Sequence, residues 1–224
     1  MRPTDRPNGR TRNPIIEAAR RSQIIEAAIE VVAEVGYAQA SLARIAAHAQ
    51  VSKSVVSYHF ADKDELLEQV VTQLYADIGA FIQARLAAED TATGKIRAYI
   101  TAELEYLRGN RARLRALGSI VTNHRTGDGE LRFAAEADDA VVAELSNILR
   151  QGQRDGEFRD FNPRVMAITI NQALDGALAQ YARDETEDLE VYTAELTSLF
   201  AAATGRDSSA RTSRRRRVDP EEAR

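Results

Sequence analysis

Apolar residues recur every three or four positions from Ile15 to Ala203, and no segment shows the strict alternation of a half-buried strand. The pattern predicts an all-α protein. A first helix is expected over roughly Pro14 to Val35, with Ile25, Ala28, Ile29, Val32 and Val35 on one face and Gly36 as its stop. A short helix follows in "SLARIAAHA", capped by Ser41 and apolar at Leu42, Ile45 and Ala46. Another is expected in "VSKSVVSYHF", capped by Ser52. Asp62, with Glu65 three residues on, marks the start of a long helix. Its apolar positions 66, 67, 70, 71, 74, 75, 78, 81 and 82 form the strongest 3.6-residue stripe in the chain. Further helices are expected over 93–108, 111–124, 130–152, 163–183 and 187–204, broken by "TGDG" and "QRDGEF". Asn162-Pro163 places a cap and then a proline at the first helical position.

The two short helices invite a functional reading, because the second has little apolar stripe of its own. Val51 and Val55, with help from Val56, can anchor it, which leaves Lys53, Ser54, Ser57 and Tyr58 facing away from the core. Two short helices joined by a tight turn make a helix-turn-helix when the first buries its apolar side and the second presents its outer side. Short hydroxyl side chains suit close approach to base edges, and a lysine and a tyrosine suit phosphates. A solvated surface helix is the alternative at this point.

Charge changes the picture. The net charge of −4 hides a segregation: residues 1–63 hold nine lysines and arginines against six acids, residues 64–205 fourteen against twenty-four, and residues 206–224 seven against four. A basic front on an acidic body suggests an anionic partner for the front alone. The 224 residues, 44% apolar, suffice for one or two domains with a real core. The absence of cysteine excludes a disulfide framework and thiolate metal sites. No apolar run approaches the ~20 residues needed to span a bilayer, so no membrane partner and a cytoplasmic location are expected. Both ends, residues 1–13 with Arg2, Arg6, Arg10 and Arg12, and residues 206–224 with "RTSRRRR", read as disordered basic segments.

The stretch "GYAQASLARIAAHAQVSKSVVSYHFADKDELL" closely resembles the DNA-binding signature of the TetR family of transcriptional repressors. The matching elements are Gly36-Tyr37, Ala40-Ser41-Leu42, Ile45-Ala46, Ala49, Val51-Ser52-Lys53, Tyr58-His59-Phe60, Lys63 and Leu66. The "DGEF…NP" turn before a long helix also looks like the family. The resemblance implies a three-helix DNA-binding domain over 14–62, a larger helical ligand-binding and dimerisation domain over 63–205, and a homodimer on a palindromic operator. By position it assigns Ser41 and Arg44 to the DNA backbone, and Ser52 to the cap of the recognition helix. Lys53, Ser54 and Val55 fall nearest base edges. Ser57, Tyr58, His59 and Lys63 fall on phosphate or the groove wall, while Phe60 is expected in the core. Gln50 and Ser54 stand where the family usually has glycine, and Ser57 where it usually has tyrosine; a left-handed Gln50 would cost of order 1–2 kcal/mol.

A repressor needs an input. Polar and aromatic residues embedded in the helical pattern of the body, Tyr75, Tyr106, Asn123, His124, Phe133, Asn171 and Asp175, are candidates for orienting a small-molecule effector, or else are satisfied core polar groups. Ala173, Ala177 and Gln180, with the stripe Leu189, Tyr192, Leu196, Leu199 and Phe200, are candidates for a dimer contact through the last two helices. No catalytic residue, metal ligand set or cofactor is expected. Histidines 48, 59 and 124 are scattered, phosphate-loop and HExxH patterns are missing, and Glu103 and Glu105 lie two apart, off a common helix face. A helical dimeric interaction module without specific DNA binding is the competing class.

Overall fold

The computed structural model describes residues 14–133, 136–184 and 186–206; the two terminal segments expected to be disordered lie outside them, Arg206 excepted. The described residues form helices α1 (Pro14–Gln39), α2 (Leu42–His48), α3 (Lys53–His59), α4 (Lys63–Leu86), α5 (Ala92–Arg108), α6 (Arg111–Asn123), α7 (Glu136–Arg154), α8 (Pro163–Arg183) and α9 (Leu189–Thr204), with no strand among them beyond two isolated bridges.

Side-chain caps fix most of the starts. Ser41, Ser52, Asp62, Thr91, Asn162 and Asp188 each accept a bond from a backbone amide of the first turn that follows, satisfying a donor that the helix leaves orphaned. At α4 the device is reciprocal: Asp62 accepts from the Glu65 amide at 2.8 Å, and Glu65 reaches back to the Ala61 amide at 2.7 Å. α1 is broken at Gly36, whose φ of 78° and ψ of 166° suit glycine alone, and a short turn continues to Gln39.

The expectation for 130–152 is corrected at its start. His124 to Phe133 fold back on themselves, with Arg125 bridged to Leu131 and the Arg132 amide bonded to the His124 carbonyl at 3.0 Å, so α7 begins only at Glu136. The "DGEF" turn after α7 also has a structural task. Glu157 accepts from the amides of Ala92 and Thr93, both at 2.9 Å, and so ties the turn to the start of α5. A Cβ on Gly152 would stand 2.3 Å from the Phe158 ring, so only glycine lets that ring close over the end of α7.

Apolar packing gathers in two clusters that meet along α4. Leu66, Leu67, Val70, Val71 and Leu74, from the first half of α4, pack with α1, α2 and α3 and with Ala116 and Ile120 of α6. Ile82 and Leu86, from its second half, pack with α5, α7, α8 and α9. One continuous helix thus carries a side chain of both cores, and any shift of its far end is felt at the other.

Candidate nucleic-acid interface

The turn between α2 and α3 is built from backbone bonds. The Val51 amide bonds the Ala46 carbonyl at 2.9 Å and the Gln50 amide bonds that of Ala47 at 3.1 Å, which is a Schellman ending for α2. It demands a left-handed residue at position 50, and Gln50 supplies it with a φ of 54°. Among the described residues no other side chain beyond glycine adopts a positive φ. α1 then clamps this unit. Gln23 donates to the Ala49 carbonyl at 2.8 Å, and Arg21 donates to the His59 carbonyl at 2.7 Å while its guanidinium lies 4.3 Å from the centre of the Phe60 ring. These two positioning residues escaped the sequence reading because they lie on the polar side of α1, where nothing but contact separates them from ordinary solvated groups.

α3 buries Val56 wholly and Val55 in part, and turns Lys53, Ser54, Ser57 and Tyr58 to solvent. Ser52 caps the helix and its hydroxyl lies 2.8 Å from that of Ser54. Ser41 and Arg44 are exposed at the start of α2. Tyr58 is 57% exposed, packs edge-on to the half-buried His59, and donates to Glu17 of α1 at 3.2 Å. Lys63 is only half exposed. Its ammonium donates to the Tyr37 carbonyl at 2.5 Å and sits 4.3 Å above the Tyr37 ring; burial lowers its pKa from the usual lysine value. Phe60 is buried beneath α3 and α4. Ten candidate contact residues therefore lie on one end of the molecule, with Val55 and Lys63 partly withdrawn.

The candidates for effector contact do not converge on one place. Asn123, His124 and Phe133 lie at the junction of the two apolar clusters. There His124, 2% exposed, stacks on Phe133, shares a 3.1 Å hydrogen bond with the Tyr37 hydroxyl, and stands 3.7 Å from Asp64 and 3.5 Å from Glu68. Asn123 itself is exposed and bonds back to its own helix. The same junction holds Arg113 of α6, which bonds Glu26 of α1 at 2.8 Å and Asp77 of α4 at 3.2 Å. Tyr75 lies partly exposed on α4, and Tyr106 packs edge-on against Phe81. Asn171 and Asp175 lie on α8, bonded to each other at 3.4 Å. Beside them, on α5, are the buried Tyr99 and the acid Glu103. Burial, and next the charge of Asp175, push the Glu103 carboxyl up to about 7. Glu103 was weighed only with Glu105; its place four residues after Tyr99 and one before Leu104, inside an apolar stripe, was the available signal.

Of the candidates for the dimer contact, Ala177, Leu189 and Phe200 are buried in the chain's own core. Ala173, Tyr192 and Leu196 are half-buried, and Gln180 is exposed. Leu199, 57% exposed, borders an apolar groove of about 310 Å³ between α8 and α9 that is also lined by Phe161, Val165, Met166 and Ala203. Val165, Ile168 and Val191 extend that apolar exposure and were missed, because a stripe read from spacing does not say which flank faces the chain's own core.

Residues 24–70 match the family model described as bacterial regulatory proteins, tetR family. The chain belongs to the TetR family. The match covers α1 from Ile24 onward, the whole α2–α3 unit and the first third of α4, which is the end of the molecule that carries the candidate contacts. Among curated relatives, the HTH-type transcriptional regulator BetI 2 of Chromohalobacter salexigens is 41% identical over 91 residues, which are 40% of this chain and 42% of that protein. The chain thus matches less than half the length of that TetR-family relative. Two solved structures extend the likeness of fold. A TetR-family regulator from Rhodococcus sp. has a TM-score of 0.71 at 20% identity, covering 80% of this chain and 96% of that one. FadR from Bacillus subtilis, solved with stearoyl-CoA, has a TM-score of 0.66 at 26% identity, covering 80% and 96%.

Proposed function

We propose that this protein is a sequence-specific DNA-binding transcriptional regulator, a repressor that leaves a palindromic operator when a small molecule enters its body. The observation that carries the reading is the outer face of α3: Lys53, Ser54, Ser57 and Tyr58 stand in solvent on a helix whose other side is fixed by Val56, Arg21 and Gln23. Lys53 and Ser54, nearest the N-terminus of the recognition helix, read base edges in the major groove. Ser41, Arg44, Ser57, Tyr58, His59 and Lys63 engage the backbone. Val55 contributes through its exposed part, and Ser52 holds the helix start. Tyr58 and Lys63 exchange their present partners, Glu17 and Tyr37, for phosphates. The DNA-binding domain spans 14–62 and the effector and dimer domain 63–205.

Release follows from how the two cores are joined. α6 is tied to α1 and α4 by Arg113 at one end and by His124 and Tyr37 at the other, and the Tyr37 amide bonds the Ser119 hydroxyl at 3.0 Å. An effector that shifts α5 or α6 moves α4 and α1 with it, and the two heads of the dimer leave the one-turn spacing that the major groove requires, about 34–36 Å. A tenfold loss of DNA affinity needs about 1.4 kcal/mol of differential effector binding. A second copy of the chain covers the apolar groove between α8 and α9. FadR with its acyl-CoA supports a body that takes a ligand. No catalysis, metal or cofactor enters this reading. Among the described residues no helix is long and apolar enough to cross a membrane, and the proposed location is cytoplasmic.

The test is retention of genomic fragments by the purified full-length protein and by Lys53→Glu. The account expects the native protein to retain a small set sharing one palindrome and the variant to lose it at least tenfold. Equal retention by both would remove α3 from the interface and leave a helical interaction module.

A further inference from the structure

We propose that the ligand of the body is an organic cation, received between α5, α7 and α8 by the carboxylates of Glu103 and Asp175 with the Tyr99 ring beside them; this rests on the reading of the body as an effector domain. Acidic groups from three helices act on one another here. Tyr99 hydrogen-bonds Glu103 on the same helix and feels the charges of Glu144 of α7 and Asp175 of α8. Asp175 in turn acts on Glu103. Glu103 as a residue keeps some surface, but its Oε2 is sealed from solvent and has no hydrogen-bond partner. Two residues on from Glu144, Ser146 is 4% exposed and its Oγ is likewise without a partner.

A carboxylate sealed from water is costly unless a proton, a cation or several donors neutralise it. The groups that act on Glu103 in this chain are Tyr99, which supplies one hydrogen bond, and Asp175, which repels. The positive charge is therefore missing from the protein side. A proton supplies it when the site is empty, since burial, with Asp175 second, lifts the Glu103 carboxyl up to about 7. An ammonium group supplies it better: it donates to the unpartnered oxygen, screens Glu103 from Asp175 and lies against the aromatic ring. An anionic headgroup entering the same layer would meet only repulsion from these carboxylates. The site thus selects for charge sign, and the remaining wall, with Ile96, Ile100, Leu145 and Leu174 in the same core, suits a hydrocarbon substituent.

The experiment is thermal unfolding and calorimetric titration of the full-length protein at pH 8 with primary alkylammonium ions from methyl to hexyl, each paired with the alcohol of equal chain length. At least one ammonium ion is expected to raise Tm and bind at least tenfold more tightly than its alcohol. Its affinity is expected to fall as the pH drops through about 7, where the proton competes. Glu103→Gln is expected to lose at least tenfold in that affinity, and Asp175→Asn to lose less. Tyr99→Phe, which keeps the ring and the packing, is expected to retain binding and serves as the folded control. If no ammonium ion outperforms its alcohol, or if Glu103→Gln binds as well as the native protein, the cluster carries a proton only and the proposal falls. Ammonium binding that leaves DNA affinity unchanged would keep this site and overturn the effector reading instead.

Discussion

The two ends of the molecule bury different things. The core around α1, α2 and α3 is apolar throughout, from Ile24 to Leu74, and its polar ties, Arg21, Gln23 and Glu65, lie at the rim where water can reach them. The body encloses Tyr99, Ser146 and Asn171 and the sealed end of Glu103, with two of these side chains lacking a partner for a buried atom. Each unsatisfied buried group costs about 1–3 kcal/mol. A protein that tolerates this in one core and not in the other separates two tasks. The DNA end holds a fixed shape and works through its outer surface; the body keeps polar groups in its interior for something that comes from outside.

That contrast can be broken first by Phe60→Ala. The ring is 1% exposed beneath α3 and α4, so its removal is expected to cost about 3–5 kcal/mol in urea unfolding. A loss below ~1 kcal/mol would mean that the head is as loosely determined as the body. Glu103→Gln should have the opposite sign. The folded pKa of Glu103, about 7, lies above its ordinary 4.5, so the native state holds the proton more tightly than the unfolded chain. Its stabilising contribution is complete below about 4.5 and is lost as the pH rises through about 7. The native protein should lose on the order of 3 kcal/mol across that window, and Glu103→Gln should not. Matching pH profiles for the two proteins would remove the buried charge from the account. Ser52→Ala removes the cap of α3 and is expected to cost about 1 kcal/mol in stability, with a parallel loss of DNA affinity. The smallest effect is Gln50→Gly, a gain of up to about 1 kcal/mol, because glycine adopts the left-handed backbone of the turn without a Cβ penalty. A loss there would show that the Gln50 side chain contributes a contact worth more than the strain.

Legibility followed the range of the physics. Caps and stops are local, so Ser41, Ser52, Asp62 and Asn162 announced their helices, and the helix expected over 163–183 has those ends. The fold-back at 124–133 depends on a bridge between residues six apart and was taken into α7. Faces are less local still. Leu189 and Phe200 fit an outward stripe as well as an inward one, and only packing against α5 and α8 decides that they point in while Val165 and Leu199 point out. His124 is the sharpest case. A lone histidine at the end of a helix carries no sign of Tyr37, Asp64 and Glu68, which come from two other helices and make it a link between head and body. The outer face of α3 was readable because what it lacks, an apolar stripe, is itself a local feature.

The central claim is that α3 reads DNA, and the most direct measurement is selection of random duplex DNA on the full-length protein at ~150 mM salt, where non-specific phosphate binding is weakened. The account predicts enrichment of a palindrome with half-site centres about one helical turn apart and its loss in Lys53→Glu. Recovery of no sequence, or of the same sequence by both proteins, would contradict it.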